Sequence, residues 1–222
     1  GVHWLRMPLP FALDHINLWL VEDDDGWVIV DTGFALDAVK ASWETILARL
    51  ADTPKGGRIT RIVVTHFHPD HLGLAAWLQE KTGAPVFMTQ GEYLTAHAVW
   101  HEVGGHGNVP MLAQFSAHGL DEAGCASLAS RSGTYNRGVP SLPVSYRRLF
   151  DGRPLRIGGH DWQVRVGYGH SPEHAALYCA DLGVLISGDM LLPKISTNIS
   201  IFAVTPQADS LADYLDSLDA YR

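Results

Sequence analysis

The stretch from residue 59 to residue 74 reads Ile-Thr-Arg-Ile-Val-Val-Thr-His-Phe-His-Pro-Asp-His-Leu-Gly-Leu. Its apolar, β-branched run at residues 62–64 predicts a buried strand. His66 and His68 follow that run directly. Because alternate side chains of an extended backbone lie on the same face, the two imidazoles can bind one metal ion together.

The next few residues predict a second ligand group beside the first. Pro69 ends the extended conformation, and Asp70 and His71 open a helix that is predicted to continue over residues 72–82 and to end at Gly83. This turn directs Asp70 and His71 towards a second ion. Imidazole and carboxylate at this density suit zinc, with iron or manganese as alternatives. The competing interpretation is a polar loop with surface histidines.

The composition is typical of one large soluble domain. The 222 residues are 46% hydrophobic and 18% charged, and the formal net charge of -8 disfavours a general nucleic-acid-binding surface without excluding a local basic groove. No apolar run has the length of a membrane span, and the chain starts at Gly1 without a signal-peptide pattern, although its true start could have been removed. Cys125 and Cys179 lie in unrelated contexts, which favours a reducing, cytoplasmic location.

Two strands are predicted before the histidine stretch. Residues 16–22 and 27–31 flank an Asp-Gly turn, which predicts a hairpin, and the second strand is apolar enough to be buried on both faces. Asp31 ends that strand. Its carboxylate is either a local turn former or a brace for metal ligands, and the sequence leaves both open.

An α/β order of elements follows, with one interruption. Residues 37–50 carry an apolar helical stripe that predicts core packing, and residues 85–88 predict a strand. Residues from about 90 to 140 then predict a helical insertion, with helices over residues 91–103 and 111–130. The insertion holds four histidines: His97, His101, His106 and His118. His97 and His101 have the spacing of a helical metal pair without a third ligand, so a structural or surface role and a substrate-lining role are the alternatives.

Short strands return after residue 147, and two of them end in candidate ligands. His170 lies in a Gly-His-Ser-Pro turn, and Asp189 follows the apolar run at residues 184–187. His174 is either a supporting or substrate contact or a surface histidine. Three strand ends that all carry metal-binding side chains favour a metal site over a polar loop.

The motifs, taken together, resemble those of the metallo-β-lactamase superfamily. The resemblance rests on His66-x-His68-x-Asp70-His71, Gly-His-Ser-Pro at residues 169–172 and Gly-Asp at 188–189, preceded by Asp-Thr-Gly at 31–33. It implies an α/β fold (α+β in some schemes), a four-layer αββα sandwich over residues 1–222, with the insertion at about 90–140. It also implies a binuclear site in which His66, His68 and His170 bind the first metal, Asp70 and His71 bind the second, and Asp189 bridges them.

One departure from the superfamily pattern concerns the second metal. The superfamily supplies another histidine after the helix that follows the bridging aspartate. Here that helix is predicted over residues 208–221, and no histidine occurs after His174. A C-terminally truncated chain is the favoured interpretation, with two zinc ions in the full-length protein and a weaker second site here.

The resemblance implies a metal-dependent hydrolase with a small-molecule substrate. A bridging hydroxide would attack an ester, thioester or lactone-like bond, with Asp70 orienting water or carrying a proton. Within the superfamily, the stand-alone hydrolases grouped with lactamase-like protein 2 are the most similar. A phosphodiesterase or ribonuclease, an iron-dependent redox enzyme and a non-catalytic binding module are the alternatives, and the oligomeric state stays open.

Overall fold

The computed structural model describes residues 1–130 and 133–221, and its strands form two sheets. Six of the described strands form the first sheet, in chain order across it: β1 (Val2–Pro8), β2 (His15–Asp23), β3 (Gly26–Val30), β4 (Ile59–Val63), β5 (Val86–Met88) and β6 (Arg147–Arg148). The first three are antiparallel neighbours, and β3 to β6 are parallel neighbours. Four further described strands form the antiparallel second sheet: β7 (Pro154–Ile157), β8 (His160–Gly167), β9 (His174–Cys179) and β10 (Val184–Ile186).

The predicted hairpin is confirmed. Strands β2 and β3 pair with Asp23 opposite Gly26, which leaves a two-residue turn between them. All five residues of β3 are buried, as its continuous apolar run predicts. No sequence pattern indicated β1, because this edge strand leaves side chains such as Trp4 exposed and lacks a clear apolar alternation.

Eight α-helices lie within the described residues. They are α1 (Asp37–Ala51), α2 (Pro69–Leu72), α3 (Ala75–Thr82), α4 (Gln90–Trp100), α5 (Asn108–Ala117), α6 (Glu122–Ala129), α7 (Thr134–Gly138) and α8 (Ser210–Asp219). The predicted apolar stripe of α1 is confirmed as core, since Val39, Trp43 and Leu50 are buried.

Apolar side chains on the two faces of the first sheet build two separate cores. Ile29 packs with Trp43 in the core between the sheet and its helices, whereas Val28 packs with Trp162 in the core between the two sheets. Helix α8 packs against β8 of the second sheet. The result is the predicted α/β sandwich with four layers in the order αββα.

Two predicted helices are each divided in two. The helix predicted over residues 72–82 is interrupted after Leu72, because Leu74 leaves the helical conformation with φ −106° and ψ 11°. At Gly73, a Cβ atom would lie 2.4–2.5 Å from the carbonyl oxygens of three other residues, so the close backbone approach requires glycine there. The helix predicted over residues 111–130 ends before Gly119, which has a φ of 97°. It restarts behind Asp121, whose carboxylate caps α6.

Helix α8 is shorter than its predicted range of 208–221, and its apolar stripe is only partly packed. Leu211 and Leu215 are 56% and 52% exposed, whereas the small residues Ser210 and Ser217 are buried. Among the described residues, no helix is both long and apolar enough to cross a bilayer.

Candidate metal centre

Three histidines and one aspartate meet beyond the ends of β4, β8 and β10. The Nε2 atom of His66 lies 2.9 Å from His68 Nδ1 and 3.2 Å from His170 Nε2. Together with a carboxylate oxygen of Asp189, their ligand atoms all lie within 4.8 Å of one another. The structure therefore brings together four residues that the sequence predicted as metal ligands from three separate segments.

Two backbone features fix the orientation of His170: the preceding Gly169 and the carbonyl group of Asn198. Gly169 has a φ of 91°, and a Cβ atom there would lie 2.4 Å from the carbonyl oxygen of Ser210. The Nδ1 atom of His170 lies 2.8 Å from the carbonyl oxygen of Asn198. Because a carbonyl oxygen only accepts, Nδ1 carries the proton and Nε2 presents its lone pair to the cluster.

His71, Asp70 and Asp189 form a second group next to the first. The Nε2 atom of His71 is buried and has no hydrogen-bond partner among the residues that the structure describes. It lies 3.7 Å from Asp70 Oδ2 and 3.4 Å from Asp189 Oδ1. The other oxygen of Asp189 lies 3.6 Å from His170 Nε2. Asp189 thus lies between the two groups, and the unpartnered nitrogen of His71 faces two carboxylates as a metal ligand would.

Asp31 braces both ligand groups through hydrogen bonds. Its backbone has a φ of 63°, and its carboxylate accepts hydrogen bonds from the Thr65 amide (2.8 Å), the Thr65 hydroxyl (2.9 Å) and His71 Nδ1 (2.8 Å). The Thr65 hydroxyl lies 3.0 Å from His66 Nδ1 and can accept a hydrogen bond from its N–H. Of the two roles that the sequence left open for Asp31, these contacts select the brace for metal ligands.

His174 is not a surface histidine. It is fully buried, and its Nε2 atom accepts a hydrogen bond from the backbone N–H of Asp189 at 3.1 Å. Gly188 between β10 and Asp189 has a φ of 49°, and a Cβ atom there would lie 2.5 Å from His174 Nε2. His174 therefore positions the segment that carries Asp189.

The electrostatics of the first ligand group favour the protonation states that metal ligands need, whereas in the second group Asp31 and Asp189 raise the pKa of His71 against the opposing effect of burial. Burial lowers the pKa of His68 to about 3 and lowers the pKa of His66 and His170, so these imidazoles are neutral. Burial opposes the ionisation of Asp189, but His71 lowers the pKa of this carboxyl below its usual value. Neutral imidazole nitrogens and an ionised carboxylate are the donor set of zinc and similar first-row ions, so the residues present fit a divalent metal.

Glu92, which the sequence analysis missed, connects the two histidine loops. It is fully buried at the start of α4, and its carboxylate accepts hydrogen bonds from the Phe67 amide (2.9 Å), the Ser171 hydroxyl (2.6 Å) and the Glu173 amide (2.7 Å). Burial raises its pKa to about 7, against the opposing effect of these donors. No sequence spacing marks this residue, because its partners come from two distant segments.

The predicted insertion, residues 90–140, contains α4 to α7 and packs beside the histidine loop. The hydroxyl of Tyr135 donates to the Phe67 carbonyl at 2.8 Å. Between this segment and residues 200–203 lies a cavity of about 270 Å³. Its wall includes the candidate ligand His68 and also Phe115, which is 41% exposed.

The other histidines of the insertion lie outside the metal centre. The rings of His97 and His101 stack with their centroids 6.3 Å apart, and neither belongs to the ligand group found among the described residues. His118 is exposed at the end of α5. His106 lines the cavity beside His68.

Comparisons with known proteins support the fold. The chain is 44% identical to a beta-lactamase domain protein from Burkholderia ambifaria, with a TM-score of 0.83, and the match covers 100% of this chain and 63% of that one. It is 32% identical to a metallo-beta-lactamase family protein from Thermus thermophilus, with a TM-score of 0.79 and coverage of 99% and 69%. It is 28% identical over 175 residues to the hydroxyacylglutathione hydrolase of Erythrobacter litoralis, which is 76% of this chain and 62% of that protein.

The chain thus spans less than two thirds of the length of the Burkholderia and Erythrobacter proteins. The family model for the metallo-beta-lactamase superfamily matches residues 12–222, which include each of the predicted ligands. With the αββα sandwich and the histidine–aspartate metal-binding centre, this match shows that the chain belongs to the metallo-beta-lactamase superfamily.

Proposed function

We propose that this protein is a metal-dependent hydrolase that cleaves an ester, thioester or lactone-like bond with two metal ions, zinc being the favoured metal. The observation that carries the proposal is the pair of adjacent ligand groups with Asp189 between them. A relative is named for hydrolysis of a hydroxyacylglutathione, which is a thioester, and this supports the bond type.

The ligand roles follow from the two groups. His66, His68 and His170 would hold one ion, and Asp70 and His71 would hold the other, with Asp189 shared. The bound ions would supply a Lewis acid for the substrate carbonyl and lower the pKa of water towards neutrality.

The chain's own residues position the reactants and the proton. Asp70 has a side chain that is 23% exposed, so it can reach both solvent and a bound substrate. We assign to its carboxylate the orientation of the attacking water and the transfer of its proton. Asp31 keeps the Nδ1 proton of His71 in place, so that Nε2 stays available as a ligand.

The cavity beside the centre favours a carbonyl substrate over a phosphodiester. Among the described residues, no lysine or arginine lines this cavity, and its walls are mostly apolar. A phosphodiester backbone needs cationic partners, which makes a ribonuclease activity the weaker candidate. Metal identity separates the hydrolase from an iron-dependent redox enzyme.

The test combines metal analysis with a substrate panel. We expect at least one zinc per chain in the protein as it is purified, and hydrolysis of ester or thioester substrates but not of phosphodiesters. His68→Ala should lose the first ion and at least a hundredfold in kcat/KM. His97→Ala, which removes a histidine outside the centre, is the matched control. Full activity in His68→Ala would refute the mechanism, and iron in place of zinc would favour redox chemistry.

A further inference from the structure

We propose that the cavity beside His68 binds the hydrocarbon chain of a medium-chain acyl group, so that the substrate is an ester or thioester of a fatty acid with about eight to ten carbon atoms. This inference rests on the proposed hydrolase function and names its substrate class.

The walls of the cavity are hydrocarbon and aromatic rings on several elements. Phe67 comes from the histidine loop, Val99 from α4, Met111 and Phe115 from α5, and Phe202 from the segment before α8. Such walls gain free energy by removing an apolar ligand from water, in proportion to the area that is buried.

The polar groups in the wall are few and mostly engaged. The side-chain amide of Gln114 donates to the Ile201 carbonyl at 2.9 Å, and the hydroxyl of Ser200 accepts from Asn198 at 3.0 Å. Burial lowers the pKa of His106, which is therefore neutral at physiological pH. A carboxylate, phosphate or peptide-like group would lose its hydration here without gaining a cationic partner, so the cavity selects against charged ligands.

The position of the cavity relative to the metal centre decides which part of the substrate it holds. His68 belongs both to the cavity wall and to the ligand group. The ring of Phe67 continues the wall, with its centroid 4.6 Å from His68 and 6.2 Å from Phe202. A chain that lies in the cavity thus has one end against His68, and we place the scissile carbonyl at that end.

The volume sets the length of the chain. A methylene group takes roughly the liquid volume of one water molecule, about 30 Å³, so a cavity of 270 Å³ holds roughly nine carbon atoms. Burial of each methylene should raise kcat/KM by about two- to fourfold until the cavity is full.

The experiment measures kcat/KM of the metal-loaded protein on p-nitrophenyl esters from acetate to dodecanoate. We expect a rise of at least tenfold from butyrate to octanoate and no further rise beyond decanoate. Ethyl octanoate and octyl acetate, which are isomers, place the chain on the acyl or on the alcohol side. Faster hydrolysis of ethyl octanoate supports the proposal, whereas equal rates or faster hydrolysis of octyl acetate would overturn it, as would rates that do not depend on chain length.

A matched pair of variants tests whether this cavity causes the chain-length dependence. Phe115→Ala removes part of the wall and should lower the octanoate-to-acetate ratio of kcat/KM at least threefold. Phe150→Ala removes a phenyl ring of similar exposure, 37% against 41%, that is not among the residues lining the cavity, and should keep the ratio. Equal ratios in the two variants would overturn the assignment.

A binding measurement separates this inference from the proposed function. Calorimetric titration with 2-decanone and 2-butanone, which cannot be hydrolysed, should show at least tenfold tighter binding of the longer ketone. If no ester is hydrolysed but 2-decanone binds more tightly, the hydrolase proposal fails and the apolar site stands. If esters are hydrolysed but the two ketones bind alike, the site is refuted and the hydrolase stands.

Discussion

Replacing Glu92 by glutamine would test whether a buried carboxylate outside the ligand set holds the metal centre in shape. Glu92 accepts two hydrogen bonds at Oε1, from Ser171 and Glu173, and one at Oε2, from the Phe67 amide. In its better orientation the glutamine oxygen keeps the first two bonds. Its NH₂ group then faces the Phe67 N–H, so that two donors oppose each other.

The cost can be estimated from that one lost bond. A buried donor without an acceptor costs about 1–3 kcal/mol, and we expect Glu92→Gln to lower the free energy of unfolding by this amount. Phe67 lies between His66 and His68, so any shift of its backbone moves both ligands. Loss of a group that orients metal ligands typically weakens metal binding by about 10–100-fold, and we expect a loss in this range.

The assay needs a control that is equally destabilised but remote from the metal. Asp23 is a second buried carboxylate, which accepts hydrogen bonds from Thr60, Arg61 and the Gly158 amide. It ends β2 at the hairpin turn, opposite Gly26, whereas Asp31 follows the other end of β3. Asp23→Asn should lower stability without changing metal affinity.

Metal affinity would be measured by competition with a chromogenic chelator, and stability by urea unfolding of both variants. We expect the two variants to lose similar stability and only Glu92→Gln to lose metal affinity. The proposed role of Glu92 is refuted if Glu92→Gln unfolds more readily but binds zinc as tightly as the parent protein. Equal losses of affinity in both variants would also refute it, since they would reflect general destabilisation.

Three further predictions concern Asp31, the bound metal and Asp23. Asp31→Asn should weaken metal binding at least tenfold, because in either orientation the amide nitrogen would face a donor, the Nδ1 proton of His71 or the backbone N–H of Thr65. Chelator competition measures the affinity, and an unchanged affinity contradicts the prediction. Chelation of the metal should lower the Tm by several degrees, because bound metal stabilises only the folded chain. Differential scanning calorimetry of the metal-loaded and the chelated protein measures this shift, and an unchanged Tm would contradict the prediction. Burial alone would raise the pKa of Asp23, but its hydrogen bonds lower the pKa below its usual value. The destabilisation by Asp23→Asn should therefore be largest near pH 7 and fade below about pH 4, where the carboxylate becomes protonated. Urea unfolding of both proteins between about pH 7 and pH 3 measures this difference, and a constant difference would contradict the prediction.

The sequence predicted the histidine loop well because its chemistry depends on local geometry. Alternation along an extended backbone places His66 beside His68, and Pro69 at the first helical position turns Asp70 and His71 inward. These relations involve neighbours in the chain, so spacing and residue type are enough to predict them.

Other features depend on distant segments and could not be predicted in this way. Glu92 has no pattern around it, and its function becomes visible only when three donors from two loops converge on it. The need for glycine at residue 73 has the same origin, because the carbonyl oxygens that exclude a side chain there include those of Gly33 and Gly138. The role of Asp31 was one of two alternatives until the structure placed its carboxylate against His71.

The two buried carboxylates Asp31 and Glu92 have a common consequence for the centre. A buried carboxylate is costly unless donors surround it, and the donors here are supplied by the histidine loops themselves. The loops therefore stabilise the carboxylates, and the carboxylates hold the loops in the arrangement that brings the candidate ligands together. Such bracing reduces the free energy that metal binding has to spend on ordering its ligands.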